Sequence, residues 1–202
     1  MSNEYFDSMA AQWDDNPMRR ELTKAVWNFI QNSVSLEEDM NVVDFGCGTG
    51  LLSVLLSEKV KTVYALDASV GMLGRLCEKI DVNKIRNIRT VHYDLSKDEP
   101  LNIKADVVVS SMALHHIKDT DDVIAVLSNY LCDGGSVVLT DLCSEDGSFH
   151  KDVEVFHNGF EPEEIEKKLQ RNGLKIKANK MVYEIRKNDN VYPVFGICAV
   201  KE

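Results

Sequence analysis

Asn41-Val42-Val43-Asp44-Phe45-Gly46-Cys47-Gly48-Thr49-Gly50 decides how the chain is read, with Leu51-Leu52-Ser53-Val54-Leu55-Leu56 directly after it. An apolar run closes on an acid, three alternating glycines follow, and a helical pattern begins. This is a strand, a tight turn and a helix start. Glycine adopts positive φ without penalty and lets a ligand approach the backbone with no Cβ in the way. Such a loop at the carboxyl end of a strand suits a nucleotide-like cofactor. The spacing is Gly-x-Gly-x-Gly. The dinucleotide fingerprint Gly-x-Gly-x-x-Gly would need glycine where the chain has Leu51.

Outward from this loop, strand-like and helix-like runs alternate. Val42–Phe45, Thr62–Leu66, Arg89–Tyr93, Asp106–Ser110 and Ser136–Thr140 carry apolar residues on consecutive positions, as strands buried on both faces do. Leu51–Glu58, Val70–Ile80 and Asp121–Leu131 lie between them with helical periodicity, and Asp133-Gly134-Gly135 reads as a helix stop. Upstream, Leu22, Val26, Phe29 and Ile30 mark a helix that Pro17 separates from a shorter one holding Tyr5, Phe6, Met9 and Trp13. Downstream of Glu161-Pro162, a helix to about Gly173 precedes strands Met181–Arg186 and Tyr192–Val200. Their short link through residues 187–191 makes them antiparallel. The expected fold is a doubly wound α/β architecture, a seven-stranded mostly parallel sheet ending in an antiparallel hairpin. The expected organisation is one domain over 1–202, with N-terminal cap helices in 1–38 and an α/β core in 39–202.

Composition narrows the partners. Lys plus Arg number 23 against 33 Asp plus Glu, a formal net charge of −10. That balance argues against nucleic acid, whose binding rests on cations. No apolar stretch is long enough to span a bilayer, and the first fifteen residues are unlike a secretory signal. Five scattered cysteines without Cys-x-x-Cys spacing suit free thiols in a reducing cytoplasm. The expectation is a cytoplasmic protein, monomer or homodimer.

Each strand end carries a candidate group. Asp67 closes the second strand, where an acid can hold ribose hydroxyls, or it caps the helix that follows. Asp94 follows the third strand, as an acceptor for an adenine amino group or as an ordinary polar strand end. After the fourth come Ser110-Ser111-Met112-Ala113-Leu114-His115-His116-Ile117. At this point the chain resembles the class I S-adenosylmethionine (SAM)-dependent methyltransferases. The residues that carry the resemblance are Asp44–Gly50, Leu66–Leu73, Tyr93-Asp94-Leu95, Ala113–Ile117 and the opening Tyr5–Trp13. The opening looks like the entry helix of the small-molecule subgroup that includes ubiquinone/menaquinone-type enzymes. The resemblance implies SAM as cofactor and a small-molecule methyl acceptor. It places Gly46, Cys47, Gly48 and Gly50 against the methionine and ribose, and Asp44 by the loop or the methionine ammonium. It also places Asp67 on the ribose, Ala68 and Met72 near the adenosine, Asp94 and Leu95 at the adenine, and Ser111 near the ammonium. Tyr5 and Trp13 either cover the cofactor or belong to the core.

His115 and His116 are the candidate catalytic residues, since a histidine can take a proton from an acceptor at neutral pH. The alternative is a histidine packed in the loop. No metal is expected, because catechol-type enzymes want a carboxylate after the fourth strand and Asp141 looks isolated. Two rival functions stand beside methyl transfer: a non-catalytic SAM-binding accessory protein and an NAD-dependent oxidoreductase. The loop Cys143–Phe160, with His150 and His157, occupies a position where such folds face their substrate.

Overall fold

The structure is a computed structural model that describes residues 3–150, 155–187 and 189–202. Residues 151–154 of the expected substrate-facing loop, Asn188 of the expected turn, and Met1 and Ser2 of the expected cap lie outside them. In chain order the elements are α1 (Asn3–Met9), a 3₁₀ helix (Ala10–Asp15), α2 (Pro17–Ser33), β1 (Asn41–Phe45), α3 (Leu51–Ser57), β2 (Thr62–Asp67) and α4 (Val70–Asn83). Then follow β3 (Ile88–His92), β4 (Ala105–Ser111), a 3₁₀ turn (Leu114–His116), α5 (Thr120–Tyr130), β5 (Leu131–Leu142), α6 (Pro162–Arg171), β6 (Leu174–Lys187) and β7 (Asn190–Lys201).

The seven strands form one sheet in the order β3-β2-β1-β4-β5-β7-β6. All neighbouring pairs from β3 to β5 are parallel, and β7 runs antiparallel to both β5 and β6. Consecutive valines explain the layers. Val42, Val107 and Val109 face the side packed by α2, α3 and α4, while Val43 and Val108 face the side of α5 and α6. Pleating sends successive side chains to opposite faces, so a strand covered on both faces must be apolar at every position. Phe29, Ile30, Leu56 and Leu76 fill the first layer; Ile124, Leu127, Ile165 and Leu169 fill the second.

Helix starts follow local chemistry. Asn16 accepts from the Met18 amide at 3.0 Å with Pro17 in the first turn, and Asp119 accepts from the amides of Asp121 and Asp122. Several boundaries differ from the sequence expectation, three of them by changing what a segment does. β3 ends at His92, which leaves Tyr93 and Asp94 in the following turn. β5 begins at Leu131, directly after α5, and absorbs Asp133-Gly134-Gly135, so the glycines sit inside a strand assignment instead of behind a helix. β6 begins at Leu174, seven residues before Met181. Its first half reads Leu-Lys-Ile-Lys and pairs on one side only, and lysine on an edge strand is a common guard against further pairing.

Candidate functional site

β1 and β4 are neighbours, and the chain turns opposite ways from them to β2 and β5. In such open sheets the crevice beyond the strand ends at this point receives ligands. Here it is a cavity of about 1200 Å³ lined by the glycine loop, the ends of β2 and β4, the N-terminal helices and the loop after β5.

At its loop end, the three glycines have different reasons. A Cβ on Gly46 (φ 70°) would meet the Ala113 Cβ at 2.5 Å, and one on Gly50 (φ 77°) would meet Leu76 Cδ1 at 2.3 Å. Both are required by the protein's own packing, and Gly50 does not line the cavity. Gly48 lines it, and its Cβ would meet nothing nearer than Trp13 Nε1 at 4.0 Å. Only there does the absent side chain leave room for a ligand.

Asp67 accepts from the Gly48 amide at 2.7 Å through Oδ2 and from the Ser69 amide at 2.8 Å through Oδ1. The cap of α4 is Ser69, whose Oγ accepts from the Met72 amide, so Asp67 is free of that duty. It ties the glycine loop to β2 and lines the cavity. Burial raises its pKa, with the amides of Ser69 and Gly48 opposing. Asp44 is 2% exposed and accepts from Ser53 Oγ at 2.5 Å. Burial pushes its carboxyl up to about 7 against that bond, with Asp67 adding to the rise. Cys47, Ala68, Met72, Leu95 and Ser111 also line the cavity, as does Asp94. Asp94 is engaged by its own turn, bonding Ser96 and, at 2.7 Å, Lys97 Nζ. Cys47 is buried, which raises its thiol pKa and leaves it no nucleophile.

Tyr5 and Trp13 reach the same cavity, together with Phe6. Two acids that the sequence reading passed over hold this segment down. Asp7 Oδ1 accepts from Ser69 Oγ at 2.5 Å and from the Gly71 amide at 2.8 Å. Asp14 accepts from Thr49 Oγ1 and pairs with Lys79 Nζ, both at 2.5 Å. Arg19 lies 3.4 Å over the Trp13 ring and donates to its carbonyl.

The opposite end is built from histidines. Met112, a non-glycine residue at φ 56°, redirects the chain after β4 and delivers Leu114–His116 to the cavity. Asp141 in β5, fully buried, is the anchor: it accepts from the amides of Leu114, His115 and Leu142 and from His115 Nδ1 at 2.5 Å. It looks isolated in the sequence because Leu114 and His115, the partners that bring it to the site, lie more than twenty residues away. With His115 Nδ1 so engaged, its Nε2 meets His150 Nε2 at 3.1 Å. His116 packs against His115, Phe6 and His150. Burial, then the neighbouring His115 and His150, holds His116 down to about 2; burial, then His115 and Lys187, holds His150 down to about 4. All three histidines line the cavity. His157 does not: its Nε2 meets the carbonyls of Ile117 and Lys118, and the amides of Phe156 and His157 donate to the His115 carbonyl. It fixes the loop.

Comparisons with known proteins give the family and the fold. A family model described as a methyltransferase domain matches residues 15–182. The chain is 33% identical over 150 residues to an uncharacterised methyltransferase of Schizosaccharomyces pombe, covering 66% of this chain and 53% of that one. An uncharacterised methyltransferase of Staphylococcus carnosus is 27% identical over 173 residues, covering 83% and 80%. The chain thus spans about half the length of the first relative and four fifths of the second. In fold it is similar to an N-methyltransferase of Bradyrhizobium japonicum crystallised with S-adenosyl-L-homocysteine, with TM-score 0.73, 16% identity and coverage of 94% and 90%.

Proposed function

The chain belongs to the methyltransferase domain family, and we propose that it uses SAM as its methyl donor and that the acceptor is a small molecule seated between the glycine loop and the histidine cluster. The observation that carries this reading is the continuity of one cavity. It runs from Gly48, Asp67 and Leu95 to His115, His116 and His150 and is roofed by Tyr5, Phe6 and Trp13. A small acceptor fits a cavity of about 1200 Å³. The net charge of −10 suits a nucleic-acid surface poorly.

The residues fit the cofactor. Gly48 gives backbone access, and Asp67 offers lone pairs to a ribose diol. Met72 and Leu95 supply apolar surface for an adenine. Asp44, buried beside the loop, is an acid that a methionine ammonium would help to ionise. The sulfonium supplies an electrophilic methyl group, and its loss leaves a neutral thioether that keeps the bonding electron pair. The chain's own contribution is to hold the acceptor's lone pair in line with that methyl and to exclude water. Tyr5, Phe6 and Trp13 close the cavity for that purpose. Asp141 holds His115 Nδ1 and so turns its Nε2 toward His150.

Calorimetric titration with SAM and S-adenosylhomocysteine tests the reading. Saturable one-to-one binding is expected, weakened at least ~10-fold in Asp67→Ala, the scale of a lost charged hydrogen bond. Turnover is then sought over a panel of small hydroxyl, amine and thiol acceptors. Binding without turnover on any of them would favour an accessory protein, and saturable binding of a nicotinamide cofactor instead would favour an oxidoreductase.

A further inference from the structure

His115, His116 and His150 each present a ring nitrogen, and these three atoms lie within 4.8 Å of one another. Two come from the 3₁₀ turn after β4 and the third from the loop after β5, so separate segments converge on one point. We propose that these three histidines hold one divalent transition-metal ion of the zinc type, leaving one coordination position open to the cavity for a lone pair of the methyl acceptor. The ion itself stands on the cluster alone; its use in catalysis rests on the methyltransferase reading above.

The geometry is close to a ligand set. Two imidazole nitrogens on a tetrahedral ion at about 2.0–2.1 Å are about 3.3 Å apart. His115 Nε2 and His150 Nε2 are 3.1 Å apart. With the proton between them moved to His150 Nδ1, both Nε2 atoms would carry a lone pair for the ion. Asp141 supplies the usual outer partner of a metal-bound histidine: its carboxylate, held by three backbone amides, fixes His115 Nδ1 and aims Nε2 at the cluster. His116 adds a separate sign. Its Nδ1 is buried with no hydrogen-bond partner among the described residues, so the protein leaves a polar atom unanswered on a residue of the cluster.

The donor set selects the ion and the acceptor. Three imidazoles, with no carboxylate among the described residues joining the set, favour zinc, cobalt or nickel over magnesium or calcium, which want oxygen. Three histidines and one open position are a catalytic pattern, whereas structural zinc sites fill all four. The acceptor class is then a small molecule with an ionisable hydroxyl, thiol or amine, whose lone pair would be oriented by the ion. The absence of a carboxylate after β4 argued against metal in the sequence. That argument holds for oxygen-ligand sites and is silent on His150.

Cobalt(II) is the probe. Tag-free protein is stripped with chelator and titrated with the ion while visible absorption is followed. One ion per chain with the spectrum of a four-coordinate nitrogen site is expected. His150→Ala, on the loop, should abolish it; His92→Ala, outside the cluster, should not alter it. Asp141→Asn should weaken it 10–100-fold where the variant keeps its far-ultraviolet spectrum. No saturable uptake, uptake that survives His150→Ala, or a thiolate charge-transfer band from a cysteine site would each overturn the proposal. S-adenosylhomocysteine binding is measured on the same metal-free sample. Normal binding there without cobalt uptake refutes the ion alone; loss of that binding is the failure of the cofactor reading.

Discussion

Asp44 is the residue where position and charge conflict most. A carboxylate 2% exposed at the end of a central strand, with one hydroxyl donor, is costly to ionise. Its folded pKa of about 7 lies above the unfolded value of 3.8, so the sign is set. The folded state holds the proton more tightly. The group therefore contributes stability below about pH 4, and that contribution is lost as pH rises through 7. At about 1.36 kcal/mol per unit, the span amounts to about 4 kcal/mol in order of magnitude. His116 and His150 act with the opposite sign, because neutral buried histidines lose stability as the unfolded chain takes protons below pH 6.5. The quantity to measure is thus the difference between wild type and Asp44→Asn in urea midpoint, from pH 5 to pH 8. Asn keeps the acceptor for Ser53, so the variant is expected to gain on the wild type by a few kcal/mol over that range. A constant difference would show that Asp44 is already ionised throughout.

At the scale of elements, the N-terminal segment is joined to the α/β layers by few but specific bonds. Asp7 reaches the start of α4, and Asp14 reaches Thr49 and Lys79. The Asp14–Lys79 pair is partly exposed, so its net worth is modest, on the order of 1 kcal/mol or less. The same four contacts also seat Tyr5, Phe6 and Trp13 over the cavity. The double variant Asp7→Ala, Asp14→Ala is expected to speed amide exchange in residues 3–15 while α2 through β7 keep their protection. S-adenosylhomocysteine should dissociate several-fold faster. Unchanged exchange in residues 3–15 would mean that the aromatic contacts alone hold the segment. The helix itself was legible from Tyr5, Phe6, Met9 and Trp13, because apolar spacing reports a buried face. Its fastening was not, since Asp7 and Asp14 look like solvent-facing acids until α4 is brought against them. The same limit hid the first half of β6: alternating Leu174, Ile176 and lysines is a one-faced edge strand, and local pattern cannot say that an edge is present.

At the scale of the whole molecule, the parallel sheet and its closing hairpin were readable because both leave local marks: unbroken valine runs for strands covered twice, and a short turn between the last two strands. The glycine-loop end of the cavity was readable for a related reason. Asp44, Gly48, Asp67 and Leu95 each sit at a strand end, so knowing the strands places them together. The histidine end was only half readable. His115 and His116 are adjacent in sequence, but Asp141 and His150 join them through the fold, 26 and 35 residues from His115. This architecture also sets how the ligand couples to stability. The cavity is bordered by the N-terminal helices, β1, β2, β4, β6 and the loop after β5. A ligand bound there contacts nearly every layer, and residues 1–202 are expected to melt as one unit with it. S-adenosylhomocysteine at 100 times its Kd adds about 2.7 kcal/mol to folding. For a chain of this size that raises Tm by about 5–10 °C, at roughly 2–4 °C per kcal/mol. Calorimetry should show one transition that moves as a whole. Two transitions, with only one responding to the ligand, would divide residues 1–38 from the α/β layers as a separate folding unit.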